Sequence, residues 1–353
     1  MLLAGCSPHS TLQWSPGAAA HYLDDRAQGW EKWPPAARAQ GTVCVSCHTT
    51  LPYALARARL AALLGEVRVP APQADLEANV LKRVRLWSQL PPYYHEQAPA
   101  SKATEAVLNA LILADEDARQ GHLSAAARAA LDDMWALQST SGAQAGSWPW
   151  LNFDEAPWET GDSVYYGATL AALAIGVAPD DYREQTAIQP ALALLREYLD
   201  RAYPDQSLLR RVDVLWAAGH LPGLITPDRQ KALVAEIWLH QRADGGWNLA
   251  ALIPQWKRRD GRAPISDSDG YATGIITLAL QDAGVPLNDP RLRRGLSWLA
   301  RHQSSWNGRW QAASPNRQRG YLSTTRHFMD DAATAFAVLS LTEAHNRASG
   351  PTQ

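Results

Sequence analysis

Between about residues 75 and 346, helical segments of two kinds alternate, and that alternation leaves few architectures open. One kind is amphipathic, over about 75–89, 124–138, 185–202, 227–241 and 290–303. In the last of these, Leu292, Leu296 and Leu299 share a face and arginines cover the rest. The other kind is apolar or small nearly all round, over about 101–114, 162–176, 207–219, 268–283 and 329–346. A helix that is apolar on every side must be buried on every side. The pattern predicts an all-α fold in which an outer ring of helices wraps an inner ring. No run of period-two alternation argues for strands.

The alternation is also a repeat. Three inner segments share a start: Asp162-Ser-Val-Tyr-Tyr-Gly-Ala-Thr169, Asp267-Ser-Asp-Gly-Tyr-Ala-Thr273 and Asp330-Asp-Ala-Ala-Thr334. A weaker copy opens at Ala103-Thr104-Glu105, and Arg211-Val-Asp-Val-Leu-Trp216 fills the remaining interval. A second motif sits between paired helices. Trp135-Ala-Leu-Gln138 precedes Gly146-Ser-Trp148, and Trp238-Leu-His-Gln241 precedes Asp244-Gly-Gly-Trp247. Trp298 and Gln303 likewise precede Asn307-Gly308-Arg-Trp310. A Gln at a helix end can bond orphan backbone groups there, a Gly permits the turn, and a Trp buries a large area. This structural role accounts for much of a composition with 15 Trp and only three Phe.

The aromatic–x–x–Gln … Gly–x–Trp signature resembles the QW repeat of the terpene cyclase and protein prenyltransferase superfamily, of the squalene–hopene cyclase type. The resemblance covers roughly residues 100–346. It implies an α/α toroid with inner and outer helix rings, and a central cavity for an apolar, isoprenoid-like molecule. On this reading residues 71–353 form the toroid, and residues 7–70 form a mostly irregular N-terminal segment packed on it, with little helical period over 7–50 and helix from about residue 51.

That N-terminal segment carries a second motif. Cys44-Val-Ser-Cys47-His48 has the C-x-x-C-H spacing of a c-type haem attachment site. Two thiols add to the haem vinyl groups, and the adjacent imidazole ligates the iron. Haem c is therefore the expected cofactor, held by Cys44, Cys47 and His48. For the opposite face, His95 is the nearest downstream His, with Met134, Met329 and His327 as further options. The alternatives for the thiols are a disulfide, or structural zinc, which would need a fourth ligand.

The chain opens Met-Leu-Leu-Ala-Gly-Cys6, and Leu3 to Cys6 resembles a bacterial lipobox. It lacks most of a signal peptide. The expectation is a truncated leader at 1–6, lipidation at Cys6, and a lipid-anchored protein on the periplasmic side of the bacterial cell envelope. No stretch approaches the ~18 apolar residues of a spanning helix. With 33 basic and 35 acidic residues, the net charge of −2 excludes a nucleic-acid binder built on a basic stripe.

Asp162, Asp267, Asp269, Asp330 and Asp331 fall at inner helix starts, where carboxylates act as N-caps. Class II terpene cyclases resemble one another in an Asp-x-Asp-Asp motif whose middle Asp is the proton donor. Asp267-Ser-Asp269-Gly270 aligns with it, which implies Asp269 as the acid and Asp267 as its partner. Gly270 stands where that motif has its last carboxylate, and the chain spans about one toroid rather than two. Zinc-dependent prenyl transfer is excluded differently, since every cysteine precedes residue 48.

Three functions follow as expectations. The first is an exported haem protein whose cavity binds, or oxidises, an apolar molecule, with a redox partner. The second is a cyclase-like isomerase. The third is a non-catalytic binding or scaffold lipoprotein.

Overall fold

The computed structural model describes residues 12–350. In chain order its helices are α1 (Pro16–Glu31), α2 (Thr50–Leu64), α3 (Ala71–Arg85), α4 (Ala98–Gln120), α5 (Ala125–Ala136), α6 (Ser163–Val177) and α7 (Gln189–Ala202). There follow α8 (Leu208–His220), α9 (Pro227–Leu239), the short α10 (Leu249–Leu252), α11 (Gly270–Asp282), α12 (Pro290–Arg301) and α13 (Phe328–Ser349). The only strands among the described residues are β1 (Ala37–Arg38) and β2 (Thr42–Val43), a two-residue antiparallel ladder. The fold is all-α, and the alternating segments of the sequence are its helices.

Local chemistry sets the boundaries. Ser124, Ser207, Thr226 and Asp289 accept backbone amides at the starts of α5, α8, α9 and α12. Gly121 ends α4 in the left-handed conformation that a C-terminal glycine supplies.

The apolar helices pack on one another. α4 contacts α6, α6 contacts α8, α8 contacts α11, α11 contacts α13, and α13 contacts α2, which touches α4. Small residues permit this closeness. A Cβ on Gly274 of α11 would sit 2.8 Å from the backbone of α13 at Phe336 and Ala337. Each of these helices also packs against a further one: α4 against α5, α6 against α7, α8 against α9, α11 against α12, and α2 against α1.

One expectation is corrected. The N-terminal segment is not mostly irregular, because α1 occupies Pro16–Glu31 within the stretch read as lacking helical period, while α2 lies where helix was expected. The buried positions of α1 are Ala19, Ala20, Tyr22, Leu23, Ala27 and Trp30, most of them at helical spacing. Three of those six are alanines, whose small apolar area weakens the periodic signal. Cys6 lies outside the described residues.

Candidate functional site

The repeat motif works as a set of hydrogen-bonded staples. Trp148, Trp247 and Trp310 are fully buried. Their indole N–H groups donate to the carbonyls of Met134, Ile237 and Leu299 at 2.6, 2.9 and 2.7 Å. The Thr shared by the inner helix starts has a matching task. Trp247 and Trp310 each donate their backbone N–H, at 3.0 Å, to the hydroxyls of Thr273 and Thr334. Each Gln then reaches in two directions. Gln138 donates to Gly146 and Ala191, and Gln241 to Gly245 and Arg291. Gln303 donates to Gly308 and to the Ser15 carbonyl, and accepts from the Ser15 amide at 2.7 Å. Each Gln thus ties its own turn to the start of another helix: α5 to α7, α9 to α12, and α12 to α1.

The helix-start carboxylates mostly do not cap. Asp269 alone of the five does so, accepting from Ala272 N–H at 2.8 Å. Its second oxygen accepts from Leu249 N–H at 2.7 Å. Desolvation raises its carboxyl to about 6, against the pull of those amides. Asp267 is exposed, and its carbonyl accepts from Asn248. Asp162 makes no capping bond and lies 3.7 Å from Arg210. Asp330 accepts from the Ala312 amide and pairs with Arg309. Asp331 is wholly engaged with the N-terminal segment.

That engagement builds the second motif. Cys44 follows β2, and its carbonyl accepts from the Trp30 indole at 2.7 Å. Ser46 takes the first amides of α2, from Thr49 and Thr50, on its hydroxyl. The intervening turn carries Cys47 and His48. Both thiols are free and buried, so the disulfide alternative is not what the structure holds. Burial pushes the Cys44 thiol up to about 12 and the Cys47 thiol well above its ordinary value. Neither is a thiolate at neutral pH, so neither is a nucleophile in this state.

His48 is held from several sides. Phe328 stacks on it at 3.7 Å between centroids and 15° between planes, and Trp30 meets it edge-on at 5.0 Å. Its Nδ1 lies 2.9 Å from the Thr49 hydroxyl. Thr49 donates to Asp331 Oδ2 at 2.8 Å, so its oxygen is left to accept from an Nδ1–H. Asp331 also accepts from Arg26 and from the Tyr22 hydroxyl. Desolvation, with Arg26 adding to it, lowers the imidazole to about 3. The ring is therefore neutral, with its proton on Nδ1 and its lone pair on Nε2.

His95 is not brought to this place. It is exposed at the turn before α4, and His48 is surrounded instead by Trp30, Thr49, Trp158 and Phe328. Met134 is buried in α5, where its carbonyl serves Trp148. His327 and Met329 flank Phe328, and the Nδ1 of His327 is buried with no hydrogen-bond partner. Among the described residues, no group of three or more His, Cys, Asp or Glu side chains is placed to hold a metal ion, which removes support for structural zinc.

Sequence reasoning did not single out Trp158 or Phe328. Trp158 belongs to the loop before α6 and touches both His48 at 5.8 Å and Tyr271 at 5.7 Å. Tyr271 meets Phe336, and Phe336 meets Trp216, at 5.5 and 5.6 Å. An aromatic line thus runs from the Cys motif to Trp216. Trp216 lines a cavity of about 180 Å³ to which all six of α2, α4, α6, α8, α11 and α13 contribute. Its walls are Leu55, Leu111, Leu173, Leu278 and Leu339, and its rim carries Arg59–Asp115 and Arg347–Asp282 pairs.

No family model matches the chain, and no curated protein matches it. Among solved structures, a polysaccharide lyase is similar, with a TM-score of 0.40 and 13% sequence identity. The similarity covers 98% of this chain and 93% of that one.

Proposed function

We propose that this chain is an α/α-toroid protein carrying one covalent c-type haem on Cys44 and Cys47, with His48 as an iron ligand. The observation that carries the reading is the His48–Thr49–Asp331 relay. It fixes the neutral tautomer, commits Nδ1 and leaves Nε2 free, which is how an outer-shell carboxylate orients a metal-ligating histidine. The donor chemistry fits the group: two free thiols at the attachment spacing and a preoriented imidazole. Bound there, haem would supply one-electron redox chemistry or an open iron position.

Volume sets a condition on this reading. The cavity beside Cys44 is about 20 Å³, far below the roughly 300 Å³ of a small ligand pocket. The aromatic side chains over His48, Trp158 and Phe328 among them, must give way to a macrocycle. Buried, protonated thiols also cannot react from this folded state, so attachment precedes closure of the chain. Support for the toroid comes from the cycle of inner-helix contacts, the cavity that all six of them line, and the Gln303–Ser15 bridge between α12 and α1. A lipid anchor at Cys6 and a place on the periplasmic side of the envelope complete the proposal, with a redox partner.

The test is expression with c-type maturation machinery. The expected product keeps its Soret band after denaturation and gains the mass of one haem, and Cys44→Ser/Cys47→Ser loses both. Haem that washes out on denaturation overturns the reading.

A second reading concerns the apolar ligand. The 180 Å³ cavity with leucine walls suits a short apolar chain, not a large isoprenoid. The cyclase reading ranks lower, because both Asp269 oxygens are spent on backbone amides. The scaffold reading remains for a protein that takes up no haem.

A further inference from the structure

The loops before α11 and α13 enclose an open groove of about 490 Å³. Six arginines line it: Arg258, Arg262, Arg309, Arg317, Arg319 and Arg326. Asp330 is the one carboxylate in that lining among the described residues. This concentration is unexpected in a chain whose net charge is −2.

The walls are built by hydrogen bonds, which hold the arginines in place. Asp260 accepts both arms of Arg258 and also the amides of Arg262 and Gln318, so it knits the two loops together. Glu155 pairs with Arg319 at 2.8 Å and is shared with Arg259 and Arg317. Arg309 pairs with Asp330 at 3.3 Å. Arg262 and Arg326 pair with no carboxylate among the described residues. Arg262 donates to the Gln318 side chain, and Arg326 lies over the Tyr321 ring at 4.6 Å. Both keep donors for a ligand.

A guanidinium presents parallel N–H groups that match carboxylate and phosphate oxygens. Six of them around one groove, three carboxylates to balance them and two left unpaired form an anion-binding surface. We infer that this groove binds a small polyanion bearing two or more carboxylate or phosphate groups. A nucleic acid is disfavoured, because the whole chain is slightly acidic, with an isoelectric point near 6.6. The groove meets the Cys motif at the first turn of α13, where Asp330 lines it and Asp331 holds Thr49. The inference is independent of whether haem is attached.

Titration calorimetry on the whole chain tests it, with citrate and inorganic phosphate as probes at about 150 mM salt, where the Debye length is about 8 Å. The expected result is saturable one-to-one binding of at least one probe, weakened at least tenfold in Arg262→Ala/Arg326→Ala. That is about 1.4 kcal/mol of binding free energy. Tighter citrate assigns a carboxylate ligand, and tighter phosphate a phosphate ligand. Neither arginine holds a structural ion pair, so the double variant should keep the wild-type helical circular dichroism and melting temperature. No binding of either probe overturns the inference, as does equal binding by a variant that remains folded.

Discussion

The Thr49 hydroxyl donates to Asp331 Oδ2 at 2.8 Å, and this bond joins two residues 282 positions apart. It ties the Cys motif to the first turn of α13 and leaves the Thr49 oxygen as the acceptor for His48. Thr49→Val keeps the shape and removes both bonds. Since the site is buried, the expected loss is about 1–3 kcal/mol in urea unfolding. In haem-loaded protein the same change should shift the reduction potential. A variant as stable as wild type, with an unshifted potential, would show that the relay neither holds the motif nor orients the imidazole.

The repeat tryptophans should be costly to remove. Trp247→Ala or Trp310→Ala opens a cavity in the core and removes the indole donor to the Ile237 or Leu299 carbonyl, which keeps only a backbone amide. The expected cost is roughly 3–5 kcal/mol. Chemical denaturation with far-ultraviolet circular dichroism reads it. A change within about 0.5 kcal/mol would place these rings outside the core.

Gln303→Leu separates α12 from α1. It removes three hydrogen bonds, two of them to Ser15, in a partly exposed place. The expected destabilisation is about 1–2 kcal/mol. Native-state hydrogen exchange should speed up in the first turn of α1 and little in α9. Unchanged exchange there would mean that the bridge does not hold α1 against α12.

Glu159 gives a pH dependence. Desolvation, reinforced by Glu155, raises its carboxyl from the ordinary 4.5 to about 7. The unfolded chain releases this proton first, so between those values the folded chain holds more protons. Stability therefore falls as the pH rises through that window, and the loss is complete above about pH 7. Allowing for its partial exposure, the contribution is about 2 kcal/mol. Glu159→Gln should flatten this part of the stability–pH curve. A parallel curve for the variant would show that Glu159 is solvated.

The helices were legible in the sequence because burial on one side or on every side leaves a periodic record. Leu292, Leu296 and Leu299 mark α12, and the unbroken apolar run from Tyr271 to Leu280 marks α11. The Gln, Gly and Trp of each staple act within a few residues of one another, so their spacing carries the information. The Cys44–His48 motif is equally local. α1 was missed because half of its buried positions are alanines, and a small side chain buries without announcing a face. The surroundings of His48 belong to the tertiary structure alone. Trp30, Trp158 and the α13 pair Phe328 and Asp331 come from three separate stretches of the chain, and no spacing rule relates those stretches. The helix-start carboxylates look alike in sequence, yet Asp269 caps while Asp331 binds Arg26, Tyr22 and Thr49. A carboxylate takes whichever donors the packed neighbours present, and only the folded chain decides which donors those are.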